Sequence, residues 1–258
     1  MMGVIKKMFQ LFKLSLLKQF WEIKNNRFRL VFGVFANIFF VVFFYYNIAK
    51  KNSTNILGID YLTFILIYAI LWLVLSSFSH TSNIVVNEAK IGTIEQLIIS
   101  PYGIKNIVLI RLIIQSLISI SFITVVLLIS NILTQNMYNL HIGTFIITIT
   151  IGIFSLYGIG LILTSISLLT KEINLLLAIV KIAVLYIIIK FDANILIPFS
   201  YAKSILTELI LNNKSLSVYP LGYLIMFVLN SLLFFLFGVF CFKYVEKIAL
   251  KKGNITGY

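Results

Sequence analysis

Long apolar runs alternate with short polar segments along most of the chain. Three intervals contain no Asp, Glu, Lys or Arg: residues 61–87, 112–170 and 215–242. A helix rises about 1.5 Å per residue and the hydrocarbon core of a bilayer is about 30 Å thick, so about 20 apolar residues cross it once. Each interval is long enough for one crossing, and the second is long enough for two. The pattern therefore predicts an all-α integral membrane protein.

Six transmembrane helices fit the positions of the apolar runs. In chain order, the predicted spans are 30–48, 61–79, 104–131, 142–169, 173–189 and 219–242. No repeat with a period of about 20 to 50 residues divides the chain. We therefore predict one membrane domain over residues 30–242, an N-terminal region 1–29 and a C-terminal tail 243–258.

Residues 1–29 carry the pattern of a helix that lies on the membrane surface. Apolar side chains recur at steps of one, three or four positions: Ile5, Met8, Phe9, Phe12, Leu16, Phe20 and Ile23. Lys6, Lys13 and Lys24 fall on another flank. Aromatic residues on one side with lysines beside them are typical of an amphipathic helix in the membrane interface. The alternative is a soluble helix docked on another protein.

Composition agrees with the membrane class. The chain has 258 residues, of which 60% are hydrophobic and 11% charged, against roughly 45 to 50% and about 25% in ordinary domains. The net charge of +13 does not indicate nucleic acid binding, because the basic residues are spread around the apolar runs. Anionic lipid and topology explain them better. Cys241 is the single cysteine, so it forms no disulfide within the chain.

The distribution of Lys and Arg predicts the orientation. With the N-terminus in the cytoplasm, fourteen basic residues lie on the inner side and five on the outer side. The five outer residues are Lys50, Lys51, Lys190, Lys203 and Lys214. Because positive charge accumulates in cytoplasmic segments, we expect a multi-pass protein of the bacterial cell membrane with both termini in the cytoplasm.

The sequence lacks the residue patterns of common catalytic and metal sites. H-E-x-x-H, C-x-x-C and G-x-x-x-x-G-K-[ST] motifs are missing. His80 and His141 fall at predicted span ends on opposite sides of the bilayer. Asp60, Asp192 and Glu208 fall in outer segments or at their edges, so no buried carboxylate serves a proton- or sodium-driven carrier. We predict no catalytic site, metal or cofactor on this chain, and energy for uphill transport would come from another protein.

A polar segment at 87–101, N-E-A-K-I-G-T-I-E-Q-L-I-I-S-P, separates the second and third predicted spans. It leaves and re-enters the membrane at the same face, which favours a short surface helix. Glu88 and Glu95 share one helical face, where they can meet Arg or Lys on a partner. Gly92 allows close approach of another backbone, and Pro101 ends the helix. The alternative is a solvated interfacial loop.

The polar segment resembles the cytoplasmic signature of type-2 ATP-binding-cassette (ABC) transporter permeases, an E-x-x-x-G-T-x-E-x-L run closing on S-P. Two weaker similarities are G-I-D-Y-L-T-F from Gly58 and I-P-F-S-Y from Ile197. The resemblance implies that residues 86–100 form a coupling helix docked on a nucleotide-binding subunit. It implies contacts through Glu88, Gly92, Thr93, Glu95, Gln96 and Pro101.

The same resemblance implies the partners. Two copies of a cytosolic ABC ATPase would bind ATP and Mg, and a second permease copy or a homologue would complete the pathway. One departure is Ala89, where the family often has a basic residue; Lys90 follows one step later. This departure alters the expected docking register.

Two further features lie in the last third of the chain. Residues 191–218, the outer segment, are too long for a tight turn, and the resemblance implies short re-entrant helices that cap the outer end of the pathway. An ordinary surface helix is the alternative. Lys181 falls near the middle of a short predicted span, where a charge costs at least about 2.5 to 3.5 kcal/mol. It either attracts a phosphate or carboxylate of the substrate in a wet cavity at a dimer interface, or extends to a lipid headgroup.

The expected function is that of the permease subunit of an ATP-driven exporter for a drug, an antimicrobial peptide or a lipid-like substrate. A polysaccharide exporter is the second expectation. A membrane protein that confers immunity or acts as a receptor, without transport, is the third.

Overall fold

The computed structural model describes residues 2–44, 46, 61–91, 100, 102–134, 141–170 and 174–251, and the described residues form eight α-helices and no strand. The helices are α1 Met2–Asn25, α2 Arg27–Phe44, α3 Tyr61–Ile91, α4 Ile104–Thr134, α5 Ile142–Thr170, α6 Asn174–Lys190, α7 Ser200–Asn212 and α8 Leu221–Lys251. A short 3₁₀ helix, Leu216–Val218, precedes α8. The predicted all-α class is confirmed for this part of the chain.

Three of these helices are long and apolar enough to cross a membrane: Ile104–Leu133 in α4, Ile142–Ile166 in α5 and Leu221–Ile248 in α8. Two shorter apolar stretches are Val31–Phe43 in α2 and Thr63–Phe78 in α3. Helices satisfy every backbone polar group within the segment, which an apolar environment requires. The chain therefore has the helical character of a membrane protein, and the six crossings stay a prediction.

The helix ends can be assigned to two ends of the bundle. We call the end that holds the start of α4 and the end of α8 the basal end; there the carboxylate of Glu246 interacts electrostatically with Lys105 and Lys243. Helices α4 and α8 therefore run in opposite directions. Residues of α5 meet residues of α8 about 80 positions later, as in the Phe154–Phe235 pair, so these two helices run in parallel. Both begin at the opposite end, which we call the distal end.

The tightest helix crossing joins α5 and α8. A Cβ atom at Gly158 would overlap the backbone carbonyl of Phe234, and one at Gly238 would overlap the backbone of Gly158. Only glycine on both helices allows such an approach. Lipid tails are as apolar as the side chains, so no hydrophobic force would bring two helices together in a bilayer. Dispersion contacts between the two backbones stabilise the pair instead.

The interior of the bundle is apolar and close-packed. Helix α3 supplies several residues with almost no exposed surface, and Trp72 of this helix stacks on Phe122 of α4 with ring centroids 4.5 Å apart. A polar contact ties α2 to α3, since the hydroxyl of Tyr68 donates to the amide oxygen of Asn37 over 2.6 Å. Large side chains that are fully buried include Phe78, Phe145, Phe199, Phe227, Phe242, Ile65, Leu73 and Leu112.

Hydroxyl groups inside the bundle bond to their own helices. Ser155 donates to the carbonyl of Gly152, Thr164 to that of Gly160 and Ser165 to that of Leu161, each over 2.7 Å. Such bonds satisfy a polar side chain without a partner on another helix. Buried Ser and Thr in α5 are thus compatible with an apolar core.

Candidate functional site

The predicted coupling residues fall at the edge of what the structure describes. The backbone of Glu88 belongs to α3, which continues as one helix from Tyr61 to Ile91, beyond the predicted span end at residue 79. The side chain of Glu88 lies outside the described residues, as do Gly92, Thr93, Glu95, Gln96 and Pro101 in full. Their contact with an ATPase therefore stays a prediction.

The end of the polar segment is described, and it forms a tight turn before α4. The backbone N–H of Gly103 donates to the carbonyl of Ser100 over 3.1 Å, and the N–H of Tyr102 donates to the Ser100 hydroxyl over 3.3 Å. Gly103 has a φ of 72°, a conformation that side chains with a Cβ rarely adopt. This turn starts α4 in a fixed direction.

Helix α1 packs directly against this turn and the first turns of α4. Leu11 is buried with Ile107, Ile110 and Ile114, and Phe12 and Tyr102 pack against the same cluster. A helix is therefore present in the predicted N-terminal region, and Leu11 and Phe12 pack against α4. Its place in the membrane interface stays a prediction. The turn at Tyr102 and α1 are therefore parts of one packed cluster.

The outer segment is inserted into the distal end of the bundle. Phe199, at the start of α7, is 1% exposed and packs with Ala202 against Gly152 of α5. Gly152 is ten residues from the start of α5, which corresponds to a depth of about 15 Å along the helix. Six α7 residues are buried: Ser200, Ala202, Ile205, Leu206, Leu209 and Ile210. One face of α7 is thus packed against the bundle, whereas Phe191, Leu196 and Val218 of the segment are exposed; a re-entrant position in a membrane stays a prediction.

Asn230 of α8 holds the first part of the outer segment. Its side-chain amide donates to the carbonyl oxygens of Ile195 over 2.9 Å and Ile197 over 3.1 Å, and lies 3.5 Å from that of Asn194. The residue is 1% exposed and lies nine residues from the start of α8, a depth of about 14 Å. Buried carbonyls in a non-helical turn need such a donor.

Two further side chains fix the same turn. The hydroxyl of Ser200 lies 2.6 Å from the carbonyl of Asn194 and 2.9 Å from that of Ile197, and it accepts the N–H of Asn194 over 3.1 Å. The ammonium group of Lys203 donates to the carbonyls of Ile189 over 2.7 Å and Phe191 over 2.9 Å. Lys203 therefore caps the last carbonyls of α6, where positive charge is favourable.

The far end of the outer segment is polar and aromatic. Lys214 lies 2.9 Å from Glu208, and this hydrogen bond, with one from Asn212, holds the pKa of the Glu208 carboxyl below its usual range. Tyr219 stacks on Tyr223 with centroids 5.1 Å apart. These contacts close the connection between α7 and α8.

Lys181 lies on α6, seven residues from its start, and its side chain is partly buried. The neighbouring Ile179 and Ile182 are 58% and 65% exposed, so this lysine lies at the edge of an exposed apolar face. That position is compatible with both interpretations of Lys181, a lipid-directed side chain and a cavity at an interface with a second copy.

Within the described residues, no group of three or more His, Cys, Asp or Glu side chains is placed to hold a metal ion. His141 is exposed at the start of α5, and the side chain of His80 lies outside the described part.

Comparison of the chain with models of known protein families, with curated proteins and with solved structures finds no match in any of the three.

Proposed function

We propose that the chain is the membrane-spanning permease subunit of an ATP-driven ABC exporter. The observation that carries the proposal is the E-x-x-x-G-T-x-E-x-L pattern of Glu88–Leu97, which begins in the last residues of α3 and precedes α4 in the chain. The continuity of α3 up to Ile91 supports it, because a rigid helix connects the pattern to the bundle interior.

In this proposal, work enters at the basal end and acts on the distal end. Closure of the ATPase dimer on ATP and Mg displaces residues 86–100. That movement passes along α3 and, through the turn at Tyr102 and Gly103, to α4 and α1. The glycine crossing of Gly158 and Gly238 keeps α5 and α8 together, so they move as a pair. Two permease copies, each with one ATPase, enclose the pathway.

The outer segment acts as the cap of this pathway. The packing of one face of α7 against α3, α5 and α8 supports the role, as does the polar clamp formed by Asn230, Ser200 and Lys203. Release of the substrate on the outer side requires that the clamp open, which ATP-driven movement of α8 would accomplish. The substrate class that we infer is a drug, an antimicrobial peptide or a lipid-like molecule, which enters from the membrane or the cytoplasm.

The test is reconstitution with the ATPase that co-purifies from the native cell. We expect the chain in proteoliposomes to raise the rate of ATP hydrolysis by the ATPase. Glu88→Lys and Gly92→Trp should each abolish that increase while the complex stays folded. Glu208→Lys is the matched charge reversal at the distal end, and it should retain most of the increase.

Two results would contradict the proposal. If both Glu88→Lys and Gly92→Trp raise the rate of ATP hydrolysis as much as the wild type does, residues 86–100 do not couple the permease to the ATPase. Transport across vesicles in the absence of any ATPase would remove the ATP-driven mechanism. High-affinity binding of a toxin without an ATPase partner would instead identify an immunity or receptor protein.

A further inference from the structure

Helix α1 exposes a mixed aromatic and basic face that faces away from the bundle. Phe9, Leu16 and Phe20 share one side of the helix, and Lys13 and Lys24, four residues after Phe9 and Phe20, lie along the adjacent flank. Phe9 is 67% exposed and Phe20 is 60% exposed. Trp21 borders this face, with the ammonium group of Lys24 5.1 Å from its ring centroid. Exposing Phe9, Phe20 and Trp21 to water is unfavourable, so this face is expected to contact another apolar surface.

The contact with α4 fixes the depth of α1 relative to the apolar span. Leu11 packs on Ile107, Ile110 and Ile114, which lie about 5 to 15 Å along the helix from the first residue of the span, Ile104. An interfacial helix buries its apolar face about 5 to 10 Å into the boundary between headgroups and acyl chains. Helix α1 therefore lies at the basal end of the apolar stretch of α4, a position compatible with the level of the lipid headgroups.

The charges of the two ends of the bundle differ. Along α1 the basic residues are Lys6, Lys7, Lys13, Lys18 and Lys24, and the acidic residue is Glu22. Glu22 lies 3.9 Å from Lys18. At the distal end, Lys214 is paired with Glu208 and Lys203 is held by two backbone carbonyls. On α1, by contrast, Glu22 is the single acidic residue beside five lysines, so the helix keeps a net positive charge.

We propose that the exposed face of α1 is a binding surface for anionic lipid headgroups. The aromatic side chains enter the acyl region, and the lysines extend along them to the phosphate level. The bound lipid would fix the height of α1 against the start of α4. This proposal does not depend on the export function, since it requires only that α4 span a membrane.

The chain contains two tryptophans, Trp21 and Trp72, which allows a direct test. Trp72→Phe leaves Trp21 as the single reporter and keeps an aromatic ring on Phe122. The indole N–H of Trp72 has no hydrogen-bond partner among the described residues, so the substitution removes no such bond. The full chain is reconstituted in vesicles that contain either brominated phosphatidylglycerol or brominated phosphatidylcholine at the same mole fraction, and quenching of Trp21 is measured.

We expect severalfold stronger quenching by the anionic brominated lipid at low salt. About 1 M salt, where the Debye length is about 3 Å, should bring the two lipids close to equality. The triple variant Lys6→Gln, Lys13→Gln, Lys24→Gln, which removes the lysines of one flank of α1, should do the same at low salt. Lys190→Gln, a matched change at the distal end, should leave the difference unaltered.

Equal quenching by the two lipids at low salt would overturn the proposal. Absence of quenching by either lipid would also overturn it, because α1 would then be covered by protein or water. The salt comparison needs no lysine variant, so poor folding of the triple variant does not affect it. If Trp72→Phe folds poorly, the difference between the wild type and Trp21→Phe isolates the Trp21 signal.

Discussion

At the scale of single residues, Asn230 contributes most to the outer segment. An asparagine within a long apolar run is unfavourable unless its amide is hydrogen-bonded. Here the amide donates to the carbonyls of Ile195 and Ile197, in a turn whose own hydrogen bonds use the Asn194 and Ile197 carbonyls and not that of Ile195. The sequence signal was present, since Asn230 interrupts the last apolar run. The identity of its partners, more than 30 positions away, could not be obtained from periodicity.

We predict that Asn230→Leu destabilises the protein and frees the outer segment. The Ile195 carbonyl loses its donor, which costs about 1 to 3 kcal/mol where the group stays away from water, whereas the Ile197 carbonyl keeps Ser200 as a donor. The thermal unfolding temperature in detergent should fall by several degrees, and protease cleavage within 191–199 should appear. Ser231→Ala is the control, because its buried hydroxyl lacks a hydrogen-bond partner in the described residues and its loss should change little. Unchanged protease resistance in Asn230→Leu would refute the clamp.

The second residue-scale prediction concerns Gly158. Gly158→Leu forces a side chain into the backbone of α8 at Phe234. Overpacking costs about 1 to 3 kcal/mol or more, and here the obstacle is backbone, which cannot rotate away. Thermal unfolding should shift clearly downward. Gly33→Ala in α2 is the control, since no atom lies within 4 Å of an added Cβ there, and its stability should equal or exceed that of the wild type.

At the scale of helices, hydropathy located the elements well but not all their ends. The predicted spans starting at Ile104 and Ile142 begin where α4 and α5 begin. Helices α3 and α8 continue for about three turns past the predicted spans, because Glu, Lys and Asn residues leave the lipid without breaking a helix. Hydropathy reports the boundary of the apolar environment, whereas Pro, Gly and capping groups set the ends of helices.

The contacts between helices are what the sequence could not provide. The sequence of α5 contains several small residues, and nothing in it indicates that Gly158 is one that meets the backbone of α8. Small residues recur with the helical period on several faces of an apolar helix. Which of these faces packs against which neighbouring helix is decided by the three-dimensional fold and cannot be read from the period. The same reason explains why Lys203 could be assigned to an outer segment but not to the end of α6.

At the scale of the whole molecule, the two ends of the bundle differ in their charge and in the kind of contacts that hold them together. The basal end combines the basic helix α1 with Lys105 and Lys243, whereas the distal end is a packed polar clamp. By the distribution of basic residues, the basal end is predicted to face the cytoplasm. Since the polar segment 87–101 joins α3 to the start of α4, the orientation decides whether an ATPase can reach it.

A cysteine-labelling experiment tests this orientation. In a Cys241→Ala background, the chain has no cysteine, so one can be introduced at an exposed site on each end. Ser217→Cys lies in the 3₁₀ helix at the distal end, and Asn26→Cys lies in the turn between α1 and α2. We expect a membrane-impermeant maleimide to label Ser217→Cys in intact cells and Asn26→Cys only after the membrane is permeabilised.

The reverse labelling pattern would have a wider consequence than a change of topology. Helix α1 and the turn at Tyr102 are packed together, so an external Asn26 would place the end of the polar segment outside the cell as well. No cytosolic ATPase could then dock on Glu88 or Glu95, and the exporter mechanism would fail whatever the motif resembles. The anionic-lipid surface of α1 would survive, since it requires only a bilayer, and the two proposals are thereby separated by one measurement.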